Sequence, residues 1–290
     1  MSTQTTATSQ TVTAELRQWI VSQAGAGHSA EAVLEAMKTS GWAEDVAIDA
    51  LESTMRGHLQ LAPQVDASVL EARPVPGARI EAAHPHVDVE GHRVHVLAAL
   101  RQPRIVVFGG LLTAAECDEL IAQARARLER SETVQTSTGG SEVNHARTSD
   151  GMFFQPAEFD ICARVEARIA ALLEWPLENG EGLQVLRYGP GAEYKPHYDY
   201  FDPAEPGTRA ILKRGGQRVG SLVCYLNTPE EGGATVFPDI GLDVAPVRGN
   251  AVFFSYDRPH PATRSLHGGA PVTRGEKWVA TKWMRERRFE

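Results

Sequence analysis

The chain has 290 residues, 42% of them hydrophobic and 23% charged, which is the balance of a globular protein with a sizeable core. A formal charge of −8 argues against a nucleic-acid or anionic-membrane partner, since both call for a basic face. Three cysteines, Cys117, Cys162 and Cys224, are odd in number and far apart, so they suit neither a disulfide framework nor a CxxC zinc site.

The N-terminus lacks the basic and apolar regions of a signal peptide, and no apolar run reaches 18 residues. The expectation is a cytoplasmic protein with reduced thiols and no membrane span. Residues 1–12 are a Ser/Thr/Gln run without apolar period, expected to be disordered. Residues 13–60 carry three amphipathic patterns. "TAELRQWIVSQA" spaces Leu16 and Ile20 helically, "SAEAVLEAMKTS" opens on the N-cap Ser29, and "AEDVAIDALESTM" gathers Val46, Ala47, Ala50 and Leu51 on one face. This three-helix module, with its Met37…Gly41-Trp42 turn, resembles the ubiquitin-associated type. It either binds a protein partner, mediates dimerisation or packs on the main domain.

Residues 61–103 are expected to be a linker and edge segment, with "ARPVPGAR" crossing an edge and "HRVHVLAAL" as a strand. The remaining 104–290 read as one domain. It begins with the strand "PRIVVFGGLL", then a helix from the capping box Thr113…Glu116 to about Arg130. A long polar loop, "ERSETVQTSTGGSEVNHARTSDG", and the helix "PAEFDICARVEARIAALLEW" follow. From residue 182 come eight short strand candidates: "LQVLRY", "EYKPHYDYF", "VGSLVCYLN", "GATVFP", "LDVAPV", "NAVFFSY", "ATRSLH" and "KWVATKWM". Turn signals about every ten residues make this a jelly roll, so the fold class is α+β, with flanking helices and the small helical module.

Within "KPHYDYF", His197 and Asp199 are two apart. In an extended strand they would point to one face, about 7 Å apart. Alone the pair is also what a solvated strand face carries. A metal needs a third ligand, and two histidines with one carboxylate form the facial triad of non-haem Fe(II) oxygenases. Of the ten histidines, His260 is flanked by prolines, whereas His267 closes "ATRSLH" just before Gly268-Gly269. His267 is therefore chosen. Ten residues on, Lys277 opens the last strand. By itself it reads as a surface lysine, but pointed into an apolar barrel it would need a partner charge.

Together "LQVLRYGPGAEYKPHYDYF", "GGATVFP", "RGNAVFF" and "SLHGG…GEKWVATKWM" resemble the Fe(II)- and 2-oxoglutarate-dependent dioxygenases of the prolyl 4-hydroxylase branch, over residues 104–290. The resemblance implies a double-stranded β-helix core. It implies Fe(II) on His197, Asp199 and His267, and 2-oxoglutarate paired with Lys277 near the hydroxyls of Tyr188 and Thr235. It also implies O2 as oxidant, with ascorbate as a reductant. Trp283 falls where an aromatic near the substrate is expected, and Arg147-Thr148-Ser149 matches the Arg-x-Ser motif of the substrate-side loop. Phe153 departs from the usual Trp and puts the substrate in doubt. The activity implied is hydroxylation of an unactivated C–H bond on prolyl residues of a protein or peptide, with release of succinate and CO2.

The competing readings are a hydroxylase of a free amino acid or small metabolite, a zinc-dependent hydrolase on the same ligands, and a non-catalytic binding protein. The hydrolase lacks an HExxH-type general base and leaves Lys277 idle. Residues 202–218, "DPAEPGTRAILKRGGQR", are too long for a hairpin and read either as a binding lid or as a disordered stretch.

Overall fold

The computed structural model describes residues 12–61, 71–80, 84–130, 132–134, 141–143 and 148–290. The chain divides into two compact units, Met1–Gln64 and Val65–Glu290.

In the first unit, α1 (Ala14–Gly25), α2 (Ala30–Thr39) and α3 (Glu44–Leu61) close around Ile20, Val33, Met37, Ala47 and Ala50. Thr13 and Ser29 accept the backbone N–H groups of Leu16 and Ala32, satisfying donors that a helix start leaves open. At the other end of α2 the Gly41 N–H bonds Lys38 O and the Trp42 N–H bonds Met37 O, with Gly41 at φ +93°. This is a Schellman closure, and its left-handed residue is the reason a glycine stands there. Among the described residues no helix is long and apolar enough to cross a membrane.

The second unit is antiparallel. Its strands are β1 (His86–Val89), β2 (His92–Leu100), β3 (Arg104–Gly109), β4 (Glu129–Arg130), β5 (Glu132–Val134), β6 (Ser141–Val143) and β7 (Asp150–Phe153). There follow β8 (Gln184–Tyr188), β9 (Tyr194–His197), β10 (Arg218–Tyr225), β11 (Glu231–Gly232), β12 (Thr235–Phe237) and β13 (Leu242–Val244). The last are β14 (Ala251–Ser255), β15 (His267–Gly269), β16 (Val272–Arg274) and β17 (Lys277–Arg285). A nine-stranded sheet runs β1-β2-β3-β14-β10-β17-β8-β7-β4, and a four-stranded sheet runs β13-β12-β15-β9.

Period-2 alternation divides the large sheet's two faces. Ala251, Phe253, Trp278 and Ala280 join one apolar cluster with Cys117 and Leu120 of α4 (Ala114–Arg125) and Val165 and Ile169 of α5 (Asp160–Leu172). Their neighbours Val252, Phe254 and Val279 join a second cluster with Phe237 and Val244 of the small sheet. Helices therefore cover one face and the small sheet the other. The result is a jelly-roll arrangement of two facing antiparallel sheets with flanking helices, an α+β fold. Strand β17 lies between β10 and β8 and is buried along its whole length, so its inward residues, Lys277 among them, face the space between the sheets.

Several local readings change. The capping box starts α4 as expected, with Thr113 and Glu116 reciprocally bonded, but the helix ends at Arg125. Beyond it Glu129–Arg130 pair with β7 and extend the large sheet. The polar loop thus contains strands. "ATRSLH" is not a strand: Pro261–Thr263 form a 3-10 turn that His260 caps, and Arg264 stands at φ +50°. The prolines around His260 and the left-handed Arg264 delay the ladder, so His267 opens its strand instead of closing it. Asp199 likewise lies past the end of β9, in a bend. The stretch "ARPVPGAR" does make a structural crossing: its Gly77 and Arg79 N–H groups bond the Leu173 and Leu172 carbonyls at the end of α5.

Candidate active site

His197 and His267 are direct partners across β9 and β15, with ring centroids 4.4 Å apart. Each Nδ1 lies 2.9 Å from a backbone carbonyl, Lys195 O for His197 and Ser265 O for His267. A carbonyl only accepts, so each Nδ1 carries a proton, and in the neutral form of each ring the Nε2 is a bare lone pair. Those Nε2 atoms face Asp199, at 3.5 Å from Oδ1 for His197 and 3.4 Å from Oδ2 for His267. Burial pushes the His267 imidazole down to about 4, against the opposing pull of Asp199. Burial would push the Asp199 carboxyl up, but His267 and His197 in their charged form, and the Arg218 guanidinium, hold it well below the usual carboxylate range.

With both rings neutral, three acceptor atoms converge within 4.8 Å, a cluster that fits a cation. Two imidazoles and one carboxylate, with free space on one side, suit Fe(II). Close approach of the two strands depends on Gly268, where a Cβ would come 2.8 Å from Tyr194 O and 3.1 Å from Pro196 N. Pro196 is accommodated because β9 is the edge of its sheet. Tyr194 stacks on His197 at 3.7 Å between centroids, and Phe254 lies 4.4 Å from His267, which fixes both rings.

Beside the cluster is a cleft lined by the three ligand candidates together with Tyr188, Thr235, Lys277 and Trp283. Its walls are Leu186, Val223 and Val279, and Lys277, 4% exposed, is their cation. Burial alone pushes the Lys277 ammonium down to about 8. Its Nζ lies 5.5 Å from the Tyr188 ring and 5.9 Å from the Tyr225 ring. Among the described residues no carboxylate pairs with it. A buried cation facing a cleft fits an anionic ligand. The Tyr225 hydroxyl donates to Thr235 Oγ1 at 2.8 Å, so Thr235 is oriented from the large sheet.

Trp283 lines the same cleft, and its Nε1 is buried without a partner among the described residues. The Arg218 guanidinium lies 4.0 Å over the Trp283 ring and 4.9 Å from the Phe201 ring. Glu181 holds Arg218 at 2.6 and 2.9 Å and also Arg285 at 2.6 Å. Phe153 lies 6.3 Å from Trp283, and Ser149 is fully buried. Arg147 lies outside the described residues. Sequence reasoning passed over Ser221, Tyr256, Tyr225, Tyr194, Glu181 and Arg218. The first three sit inside ordinary strand patterns, and only the inward phase shared by Ser221 and Tyr225 on β10 could have marked them.

The family model described as the 2OG-Fe(II) oxygenase superfamily matches residues 183–285, which include all three ligand candidates and Lys277. Prolyl 4-hydroxylase 1 of Arabidopsis thaliana is 43% identical over 203 residues, covering 64% of this chain and 70% of that protein. Probable prolyl 4-hydroxylase 7 of the same plant is 38% identical over 208 residues, and the match spans 65% of this chain and 64% of the relative's length. Among solved structures, the viral collagen prolyl hydroxylase of Paramecium Bursaria Chlorella virus-1 in its 2OG complex matches at 29% identity and a TM-score of 0.49. That match covers 62% of this chain and 95% of the viral one. The chain belongs to the 2OG-Fe(II) oxygenase superfamily, among its prolyl 4-hydroxylase-like members.

Proposed function

We propose that the protein is an Fe(II)- and 2-oxoglutarate-dependent dioxygenase that hydroxylates prolyl residues of a protein or peptide. The observation that carries this is one cleft lined by both the His197–Asp199–His267 cluster and the buried ammonium of Lys277, which no carboxylate among the described residues pairs. A hydrolase would leave that lysine without a task.

In this reading His197, Asp199 and His267 hold the metal. Lys277 holds the far carboxylate of 2-oxoglutarate, with the hydroxyls of Tyr188 and Thr235 lining the same pocket. The chemistry supplied by the bound metal and cosubstrate is oxidative decarboxylation to succinate and CO2, coupled to insertion of an O2-derived oxygen into a C–H bond. The protein's own part is positional. Leu186, Val223 and Val279 keep water from the cosubstrate, which strengthens the ion pair at Lys277. Trp283 offers an aromatic face and an unused N–H at the cleft wall, where a peptide amide or prolyl ring would lie. Arg147 is assigned to the substrate-side loop on its Arg-x-Ser motif alone.

Ascorbate is proposed as the reductant that restores Fe(II) after uncoupled turnover. Three buried free thiols favour a reducing, cytoplasmic setting, which fractionation of the producing cell tests. The helical unit of residues 1–64 is proposed as a dimerisation or partner-binding module, and sedimentation with and without it separates the two.

The central test is 2-oxoglutarate decarboxylation with Fe(II) and ascorbate against proline-rich peptides, read as succinate release with a +16 mass change on proline. His267→Ala is the control. Coupled turnover lost in the variant is the expected result, and turnover without 2-oxoglutarate would overturn the proposal.

A further inference from the structure

The carboxylate of Asp199 has two oxygens, and a facial centre of two imidazoles and one carboxylate needs only one. A carboxylate that binds through both takes a fourth position of an octahedral ion, leaving two where a keto-acid chelate and O2 together require three.

Oδ2, which faces the His267 Nε2 at 3.4 Å, also has a nearer partner. Ser221 Oγ lies 2.5 Å from Asp199 Oδ2, and the Tyr256 hydroxyl lies 3.0 Å from Ser221 Oγ. The ionised carboxylate has no proton to give, so Ser221 must donate to it. Ser221 has then spent its only proton, so Tyr256 is the donor in the second bond. The donors run in one direction, Tyr256 to Ser221 to Asp199. Ser221 is 0% and Tyr256 2% exposed, so water does not compete for these bonds. Such a charge-assisted bond in a dry site is among the stronger ones.

The two hydroxyls also have a mechanical setting that Asp199 lacks. Ser221 lies within β10, paired with β14 on one side and β17 on the other, and Tyr256 directly follows β14. Asp199 hangs in the bend beyond the edge strand β9. The bond ties a loosely supported ligand to the centre of the large sheet.

We propose that Ser221, backed by Tyr256, is a positioning residue that withholds Asp199 Oδ2 from the metal and so keeps a coordination position open for the cosubstrate and O2. This rests on the proposed reading of His197, Asp199 and His267 as the metal ligands.

Co(II) is the probe, because its visible d–d bands report coordination number. The full chain is loaded with Co(II) as wild type, Ser221→Ala, Ser221→Thr, Tyr256→Phe and His267→Ala, and 2-oxoglutarate binding is titrated calorimetrically. Circular dichroism of the metal-free proteins checks that each is folded. The expected Ser221→Ala protein binds Co(II) with altered bands and binds 2-oxoglutarate about tenfold or more weakly, the scale on which ligand-supporting residues act. Ser221→Thr, which keeps the hydroxyl, restores both, and Tyr256→Phe falls between. Folded Ser221→Ala with wild-type bands and wild-type affinity overturns the inference. So does a defect that Ser221→Thr fails to rescue. Should Ser221→Ala not fold, Tyr256→Phe decides by the same two readouts. If wild type binds no more Co(II) than His267→Ala does, the metal reading itself fails, and this inference fails with it.

Discussion

Lys277 stands directly opposite Tyr188 in the pairing of β17 with β8, its ammonium 5.5 Å from the tyrosine ring and flanked on the inner face by Leu186 and Val279. Two aromatic rings and an apolar wall are poor substitutes for a counter-ion, and burial pushes the group from its ordinary 10.5 down to about 8. The ligand-free protein therefore carries a cost of roughly 3 kcal/mol for keeping this cation dry.

The sign of the pH effect follows. The unfolded chain holds the lysine proton more tightly than the folded one, so stability rises with pH between about 8 and 10.5. The cost is fully present below about 8 and gone above 10.5. Cosubstrate binding runs the other way: it needs the cation, so its affinity is flat below about 8 and falls by up to tenfold per pH step above it. Calorimetric titration of 2-oxoglutarate from pH 6.5 to 9.5 checks this, and an affinity independent of pH would remove Lys277 from the binding site. Lys277→Met is expected to stabilise the ligand-free protein by about 1–3 kcal/mol while abolishing cosubstrate binding.

Gly268→Ala tests the metal cluster through its backbone. The added Cβ would sit 2.8 Å from Tyr194 O, so β9 and β15 must separate and the two imidazoles with them. The expected outcome is at least tenfold weaker Fe(II) binding with the large sheet intact. A variant that binds iron normally would show that the His197–His267 spacing is adjustable.

Glu181 is the shared ion-pair partner of two buried guanidiniums, Arg218 and Arg285. Glu181→Ala leaves both without their carboxylate, which at a buried site costs about 3–5 kcal/mol. In a unit of this size that corresponds to a fall in melting temperature of roughly 10 °C. A fall of under 2 °C in a scanning calorimeter would mean that solvent reaches the cluster.

Gln217 holds Phe201 at two points, accepting from the Phe201 N–H at 2.7 Å and donating to its carbonyl at 2.8 Å. The segment between them, expected to be a lid, is closed at its base by this clamp and carries one short helix, α6 (Thr208–Ile211). Gln217→Ala is predicted to raise hydrogen exchange across residues 202–216 and KM for a peptide several-fold. Peptide-free turnover of 2-oxoglutarate should stay unchanged. Equal loss of both activities would place the clamp's effect at the metal instead.

The parts of the site legible in the sequence are those that sit close together along the chain or at strand ends. The His197–Asp199 pair announced itself by spacing, yet for the wrong reason. The two meet because the chain bends after the edge strand, not because they alternate within it. Lys277 was legible from the inward phase of β17, which also carries Val279 and Thr281. Ser221 and Tyr256 were not: a serine in "VGSLVCYLN" and a tyrosine after "AVFF" are ordinary strand composition, and their role arises only where two sheets meet. The turn at His260–Thr263 was misread because strand propensity in "ATRSLH" gave way to the rigid prolines before it and the left-handed Arg264.

Arg218 lies against both the Trp283 and Phe201 rings, while Glu181 ties it to Arg285. The cleft wall and the base of the 202–216 segment therefore share one side chain and cannot vary independently. Changes of substrate preference introduced at Trp283 are expected to depend on what occupies position 201, giving non-additive double mutants. A lineage or a designer altering the range of peptides accepted has to move these positions together.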